Sequence, residues 1–245
     1  MRIFGLVGYP LSHSFSRNYF SKKFEKENIV DGLYENFEVD TLDGFRARAN
    51  SMKELSGLNV TIPYKERIIG LLDEANGIVK DIKACNCIKI TGGKWIGHNT
   101  DVMAFKQSFE KGLQPNHIKA LILGTGGASK AVAYALNQLG IELLFVSTTK
   151  KGTGIISYGD INRELLGSHN IIINTTPVGM FPDIANSPAI NYDFLTSLHY
   201  LFDLVYNPEK TRFLSLGEQH GATIKNGYEM LQLQAEESWR IWNME

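Results

Sequence analysis

The chain has 245 residues, enough to enclose one large hydrophobic core or two small ones. Hydrophobic residues make up 43% and charged residues 21%, and the formal charge is −1 with no local run of Lys or Arg. That balance excludes a nucleic acid or an anionic membrane surface held by bulk electrostatics.

The opening MRIFGLVGYP reads as a short strand and a glycine turn. It lacks the basic start, longer apolar run and cleavage site of a signal peptide. No apolar run nears the roughly eighteen residues of a membrane span, so the expected location is the cytoplasm. RNYFSKKFEKE follows as a helix with Tyr19, Phe20 and Phe24 as its apolar positions. NFEVD then reads as a strand, DGFRARANSM as a helix, LNVTI as a strand and KERIIGLLDEA as a helix. Alternation at these lengths predicts a mostly parallel sheet covered on both faces. Within it, GLNVTIPYKE stops a strand at Pro63 and sets Lys65 just beyond, where a lysine is either a solvated charge or a held one. Cys85 and Cys87, in DIKACNCIK, read as free thiols. In a strand both would share one face, with Asn86 on the other. Two cysteines alone make no zinc site, so no metal is expected.

The pattern restarts at IKALILGTGGASKAVAYALNQLGIELLFVS. A compact apolar run at 120–123 leads into Gly124, Thr125, Gly126, Gly127 and Ala128, then an alanine-rich helix and a strand at 143–146. Strand, glycine turn, helix and strand within roughly thirty residues form the context that gives a dinucleotide fingerprint meaning. Gly124 fits the glycine of the tight turn and Gly126 the one that lets a pyrophosphate approach the backbone. Ser129 takes the small third place, and the helix N-terminus offers N–H groups to phosphates. An NAD site places Asp or Glu about twenty residues on. Here Ser147, Thr148, Thr149, Lys150 and Lys151 stand instead, which favours NADP through its 2′-phosphate. The bland alternative is that the lysines are solvated loop charges. Buried strands follow at NIIINTT, near 170–176, and at YLFDLVY, near 200–206. NGYEMLQLQAEESWRIW closes the chain as a helix with Leu231, Ala235 and Trp242 on one stripe and Gln234 on or beside it.

Read together and in order, several segments resemble the shikimate dehydrogenase family nearly end to end. They are Gly8-Tyr9-Pro10 with His13-Ser14-Phe15-Ser16, Asn59-Val60-Thr61-Ile62-Pro63-Tyr64-Lys65, Cys85-Asn86-Cys87, Asn99-Thr100-Asp101 and Gly124-Thr125-Gly126-Gly127. Later come Asn174-Thr175-Thr176-Pro177-Val178-Gly179-Met180, Asp203-Leu204-Val205-Tyr206-Asn207-Pro208, and Asn226-Gly227 with Met230-Leu231 and Gln234-Ala235. The resemblance implies reversible, NADP-dependent reduction of 3-dehydroshikimate to shikimate, a step in aromatic amino-acid biosynthesis. It implies an α/β fold of two domains with the substrate in the cleft between them. Residues 1–100, joined by the C-terminal helix 227–245, would form the substrate domain, and 101–226 a Rossmann-type NADP-binding domain. Lys65 and Asp101 would be the catalytic pair. Ser14, Ser16, Thr61, Asn86, Tyr206 and Gln234 would hold the substrate, and Gly227 would join the cofactor residues. The expected assembly is a monomer or a homodimer.

Such a pair has a chemical reason. Removing hydride from a secondary alcohol requires loss of the hydroxyl proton, and the reverse step its return. A lysine beside a carboxylate serves as one coupled acid–base unit, with no assignment of which member is the base. On local evidence Asp101 could equally cap a helix, and Ser12, Ser14 and Ser16 could start one. Placed alternately in an extended segment, the serines would face a polyol together. His13 reads as structural, since the reaction already has its pair. Departures from the family are Arg17 where proline is usual, Phe20-Ser21 where His-Asn is, His98 where aspartate is and, most consequential, Thr148 where arginine is. Loss of the arginine removes a planar cation from the 2′-phosphate and leaves Lys150 as its substitute. A relative that also oxidises quinate, or uses NAD, and a non-catalytic binding module are the competing readings.

Overall fold

The computed structural model describes residues 1–11 and 14–244; Ser12, His13 and Glu245 lie outside the described residues. The chain forms two compact units, Met1–Thr100 with Ala235–Glu245, and Asp101–Gln234.

The first unit is built on six strands: β1 Arg2–Gly8, β2 Gly32–Glu38, β3 Leu55–Val60, β4 Glu74–Ala75, β5 Cys87–Thr91 and β6 Lys94–His98. Their order is β2-β1-β3-β5-β6-β4. β1 is parallel to both β2 and β3, and β4 to β6, whereas β5 runs antiparallel to β3 and β6. The helices are α1 Phe15–Lys26, α2 Phe45–Asn50 and α3 Gly77–Ile82. Alternation along the strands divides the core between the two faces of the sheet. Val7, Leu58, Val60, Tyr64, Ile68, Ile88 and Trp95 pack on one side. Phe4, Leu6, Phe20, Phe24, Tyr34 and Cys87 pack on the other with Ala235, Ile241 and Trp242. Gly57 is required by that second layer, because a Cβ there would lie 2.4 Å from Trp242 Cδ1. The Trp242 indole N–H is satisfied by the Ile88 carbonyl at 3.0 Å.

The second unit holds β7 Lys119–Leu123, β8 Glu142–Val146, β9 Ile155–Ile156, β10 Ile171–Asn174, β11 Tyr200–Asp203 and β12 Thr223–Lys225. Its helices are α4 Asp101–Phe109, α5 Gly127–Gln138, α6 Arg163–Ser168, α7 Arg212–Gln219 and α8 Tyr228–Trp242, the last running on into Ala235–Glu245 of the first unit. All five strand pairs are parallel, in the order β12-β11-β10-β7-β8-β9. Counted from β7, this is the doubly wound 3-2-1-4-5-6 arrangement of dinucleotide-binding folds, with its switch point between β7 and β10. Strands buried on both faces carry near-continuous apolar runs, as Ile171, Ile172 and Ile173 do at 0% exposure.

Three sequence expectations are corrected. KERIIGLLDEA is a 3-10 turn, Arg67–Leu71, followed by edge strand β4. The Asp73 carboxylate draws the chain into the sheet there by accepting from Trp95 N at 2.8 Å. The two cysteines do not share a face. β5 begins only at Cys87, Cys85 N donates to Lys65 O at 2.8 Å, and the two thiols enter opposite core layers. Nor do the serines alternate in an extended segment, for Ser14 caps α1 and Ser16 lies inside its first turn.

Candidate active site

Five of the residues singled out from sequence gather at one end of the first sheet. Because β1 and β3 are parallel, the segments leaving both strands emerge side by side, with Thr61 N donating to Val7 O at 3.0 Å and Tyr9 N to Ile62 O at 3.0 Å. Because β5 is antiparallel to β3, its beginning lies at that same end, and Val60 N donates to Asn86 O at 2.8 Å. The end of β6 is there too, opposite Cys87. Ser14, Ser16, Thr61, Lys65 and Asn86 thus come from chain segments brought together by strand direction alone.

Lys65 is held by its neighbours rather than by secondary structure. Tyr64 before it is fully buried and donates its phenol hydrogen to Val39 O at 2.6 Å. Tyr64 N donates to Thr61 O at 2.9 Å, and Lys65 O accepts from Cys85 N. The half-buried lysine therefore springs from a backbone tied on both sides. Asn86 is buried, with Oδ1 accepting from Thr100 N at 2.7 Å and Nδ2 donating to Thr100 Oγ1 at 2.9 Å. Asn99 Nδ2 donates to Ala84 O at 3.0 Å, which fixes the segment leading to Asp101. Asp101 opens α4 and is 4% exposed.

In the second unit the glycine turn stands at the switch point. Gly124 takes φ +112°, and a Cβ there would meet Thr175 Oγ1 at 2.7 Å, so the turns leaving β7 and β10 abut. Gly126 is different: its φ is −87° and a Cβ would meet nothing within 4 Å. The chain's own packing does not need a glycine there. What the missing side chain keeps open is room beside the N-terminus of α5, where phosphates bind. Thr125, Gly127 and Ala128 are half-buried around it, and Ser129, buried, donates to Gly126 O at 2.6 Å. Beyond β8, Ser147 Oγ accepts from Thr149 N at 3.2 Å and Lys150 N at 2.9 Å. This serine turn brings Lys150 Nζ to within 3.1 Å of Thr125 O, above the glycine turn, whereas Thr148 is exposed. These residues fit a dinucleotide whose ribose carries a phosphate. Among the described residues no group of three or more His, Cys, Asp or Glu side chains is placed to hold a metal.

Sequence reasoning missed the anchor of this unit's loops. Asp203 is 0% exposed and accepts from Thr211 Oγ1 at 2.6 Å, Val205 N at 3.0 Å and Asn174 Nδ2 at 3.0 Å. Burial pushes its carboxyl up to about 6, against the pull of those three donors. Asn174 in turn accepts from Thr176 N and Oγ1, at 3.1 and 2.6 Å, so one buried carboxylate ties the loop after β10 to the loop after β11. Tyr206 lies in the latter loop, half-buried, its phenol raised by burial. Gly227 is there for close packing, since a Cβ would lie 2.2 Å from Leu204 O. Gln234, 9% exposed on α8, donates Nε2 to Leu231 O at 2.9 Å. Asp203 and Thr211 stand eight residues apart in a strand–loop–helix link, a spacing that local motifs do not flag.

The doubly wound sheet with its glycine turn defines a Rossmann-type domain, and the first unit is a separate α/β domain joined to it. The profile of the shikimate dehydrogenase substrate binding domain matches residues 6–88. The chain is 37% identical, over 97% of its length and 88% of the relative's, to a shikimate dehydrogenase (NADP(+)) of Caldicellulosiruptor bescii. Its fold is similar to the crystal structure of shikimate dehydrogenase 1 from Peptoclostridium difficile, with TM-score 0.87 and 36% identity over 99% of this chain and 91% of that one. It is also similar to a Thermus thermophilus shikimate 5-dehydrogenase solved in complex with NADP(H) and shikimate, with TM-score 0.86 and 29% identity over 99% of this chain and 94% of that one. The chain belongs to the shikimate dehydrogenase family.

Proposed function

We propose that the chain catalyses the reversible, NADP-dependent reduction of 3-dehydroshikimate to shikimate, with Lys65 and Asp101 as its acid–base pair. Family membership supports the substrate and cofactor, and the residues of both units suit them. The observation that carries the reading is the restrained Lys65, whose backbone and that of Tyr64 are tied to Cys85 and Thr61, with the Tyr64 phenol anchored on Val39 O. A solvated surface lysine needs none of this.

NADPH, when bound, supplies the hydride. The protein's part is the proton and the orientation. As the ketone becomes an alcohol the Lys65–Asp101 pair delivers a proton to the substrate oxygen, and in the oxidative direction it takes that proton back. Ser14, Ser16, Thr61, Asn86, Tyr206 and Gln234 orient the hydroxyls and carboxylate, which turns a bimolecular encounter into a positioned one. Gly124, Thr125, Gly126, Gly127, Ala128 and Gly227 shape the cofactor's backbone cradle, and Ser147, Thr148 and Lys150 face its ribose phosphate. The reaction belongs in the cytoplasm, and the assembly is a monomer or homodimer. No helix among the described residues is long and apolar enough to cross a membrane.

Nicotinamide absorbance, followed with shikimate or quinate against NADP or NAD, tests the reading. Shikimate with NADP should give the highest kcat/KM. Equal rates with quinate or NAD would assign the chain to a broader activity. No turnover in any pairing by folded protein would leave a binding module.

A further inference from the structure

One buried hydrogen-bond chain in the first unit is not explained by the fold. Tyr34 on β2 donates its phenol hydrogen to Asn59 Oδ1 at 2.8 Å. Asn59 on β3 donates Nδ2 to Ser238 Oγ on α8 at 2.8 Å and to the Asn86 carbonyl at 3.4 Å. Ser238 Oγ lies 3.4 Å from Thr100 Oγ1, which accepts from Asn86 Nδ2. At the other end the Ser16 side chain stands beside the Tyr34 phenol and acts on it as a polar neighbour. Two residues named above for the substrate, Ser16 and Asn86, are therefore the termini of one chain whose interior members are Tyr34, Asn59, Ser238 and Thr100. Every member is at most 8% exposed, so water does not stand in for a missing partner.

The inventory of donors fixes the directions at Tyr34, Asn59 and Asn86, while either hydroxyl can donate between Ser238 and Thr100. The single hydrogen of Tyr34 goes to Asn59, so the Tyr34 oxygen is left as an acceptor beside Ser16. The Asn59 amide cannot be reversed, because its oxygen would then face the Asn86 carbonyl oxygen. The Asn86 amide cannot be reversed either, since the Thr100 N–H at 2.7 Å requires an oxygen opposite it. An apolar layer would stabilise this position as well without the desolvation cost of six polar side chains. What the chain adds is orientation.

We propose that Ser238, with Tyr34, Asn59 and Thr100, is a set of positioning residues that fixes the hydrogen-bonding faces of Ser16 and Asn86 toward the substrate. The proposal rests on the shikimate reading above. Substrate recognition is thus tied to α8, a helix from the far end of the sequence, through a residue that needs no contact with substrate itself.

Calorimetric binding of shikimate and of NADP, with KM, kcat and melting temperature, to wild type, Tyr34→Phe, Ser238→Ala, Thr100→Ser and Thr100→Val decides it. Tyr34→Phe and Ser238→Ala should each raise the shikimate Kd and KM about tenfold, the worth of one misdirected hydrogen bond. Their NADP Kd should be unchanged and kcat at saturation kept within about twofold, the signature of lost uniform binding. Thr100→Ser should bind like wild type and Thr100→Val should not. Wild-type shikimate affinity in Tyr34→Phe and Ser238→Ala, with only the melting temperature lowered, overturns the proposal. Should either variant fail to fold, equal shikimate binding by Thr100→Ser and Thr100→Val does the same. A wild type that binds no shikimate defeats the functional reading, a result distinct from variants that bind it unchanged.

Discussion

Lys150 reaches back over the glycine turn, its ammonium donating to the Thr125 carbonyl oxygen at 3.1 Å. The Ser147 turn that accepts from Lys150 N makes this reach possible, so Ser147 acts on the cofactor loop through the backbone. In a dinucleotide site this is the region that meets the adenine ribose, where NAD enzymes put a carboxylate and NADP enzymes a cation. Lys150→Ala should weaken NADP binding roughly tenfold or more, as loss of a charge-assisted hydrogen bond does, and leave NAD binding unchanged. Fluorescence titration with both cofactors checks it. A parallel loss of both affinities would make Lys150 a loop brace only.

Thr148 offers the reverse experiment. It is exposed at the position where the family carries arginine. A guanidinium presents a planar fork to a phosphate, which a threonine cannot. Thr148→Arg should tighten NADP about tenfold through one bidentate contact, with the NAD affinity unmoved. Titration of the variant with the same two cofactors reads the change.

Asp203 gives a pH-dependent stability. Its carboxyl is raised from 3.8 to about 6 in the folded state by burial, so the folded state binds this proton more tightly than the unfolded one. The stabilisation linked to it is complete below about pH 4 and is lost as pH rises toward 6, an amount of about 3 kcal/mol. Thr211→Val removes the donor that holds the ionised form. Because Thr211 also caps α7, accepting from Leu214 N, about 1 kcal/mol should go at every pH. A further 1–2 kcal/mol, roughly, should go only above pH 6, where the carboxylate is charged. Urea unfolding at pH 5 and pH 8 separates the two parts, and an equal loss at both would contradict the account.

Gly227 is a packing glycine before it is anything else. An added Cβ would lie 2.2 Å from the Leu204 carbonyl oxygen, a backbone atom that has no rotamer to yield. Gly227→Ala should cost roughly 1–3 kcal/mol, the usual range for overpacking, and lower the melting temperature with or without cofactor. A variant as stable as the parent but unable to bind NADP would restore the purely cofactor-binding role.

Much of this was legible because local chemistry and global fold agree. The glycine turn could be read at Gly124 and Gly126 since strands flank it on both sides. The mixed first sheet was harder. The Gly92-Gly93 pair, at φ +56° and +77° between paired Thr91 and Lys94, is the hairpin signal that reverses β5 into β6. That signal went unread, and with it the antiparallel strand that brings Asn86 to the end of β3. KERIIGLLDEA carries apolar residues at helical spacing, yet the Asp73 bond to Trp95 wins over propensity. Ser238 could not be found at all. Its bond to Asn59 spans 179 residues, and nothing in LQAEESWRIW distinguishes it from a small residue on a buried stripe.

The central claim is that Lys65 handles the substrate proton, and Lys65→Ala tests it most directly. The account predicts that kcat for shikimate oxidation with NADP falls roughly a hundredfold to ten-thousandfold, the range for loss of a general acid–base group. The calorimetric NADP Kd should stay at the wild-type value. A Lys65→Ala protein that turns over shikimate at more than about a tenth of the wild-type kcat would contradict it.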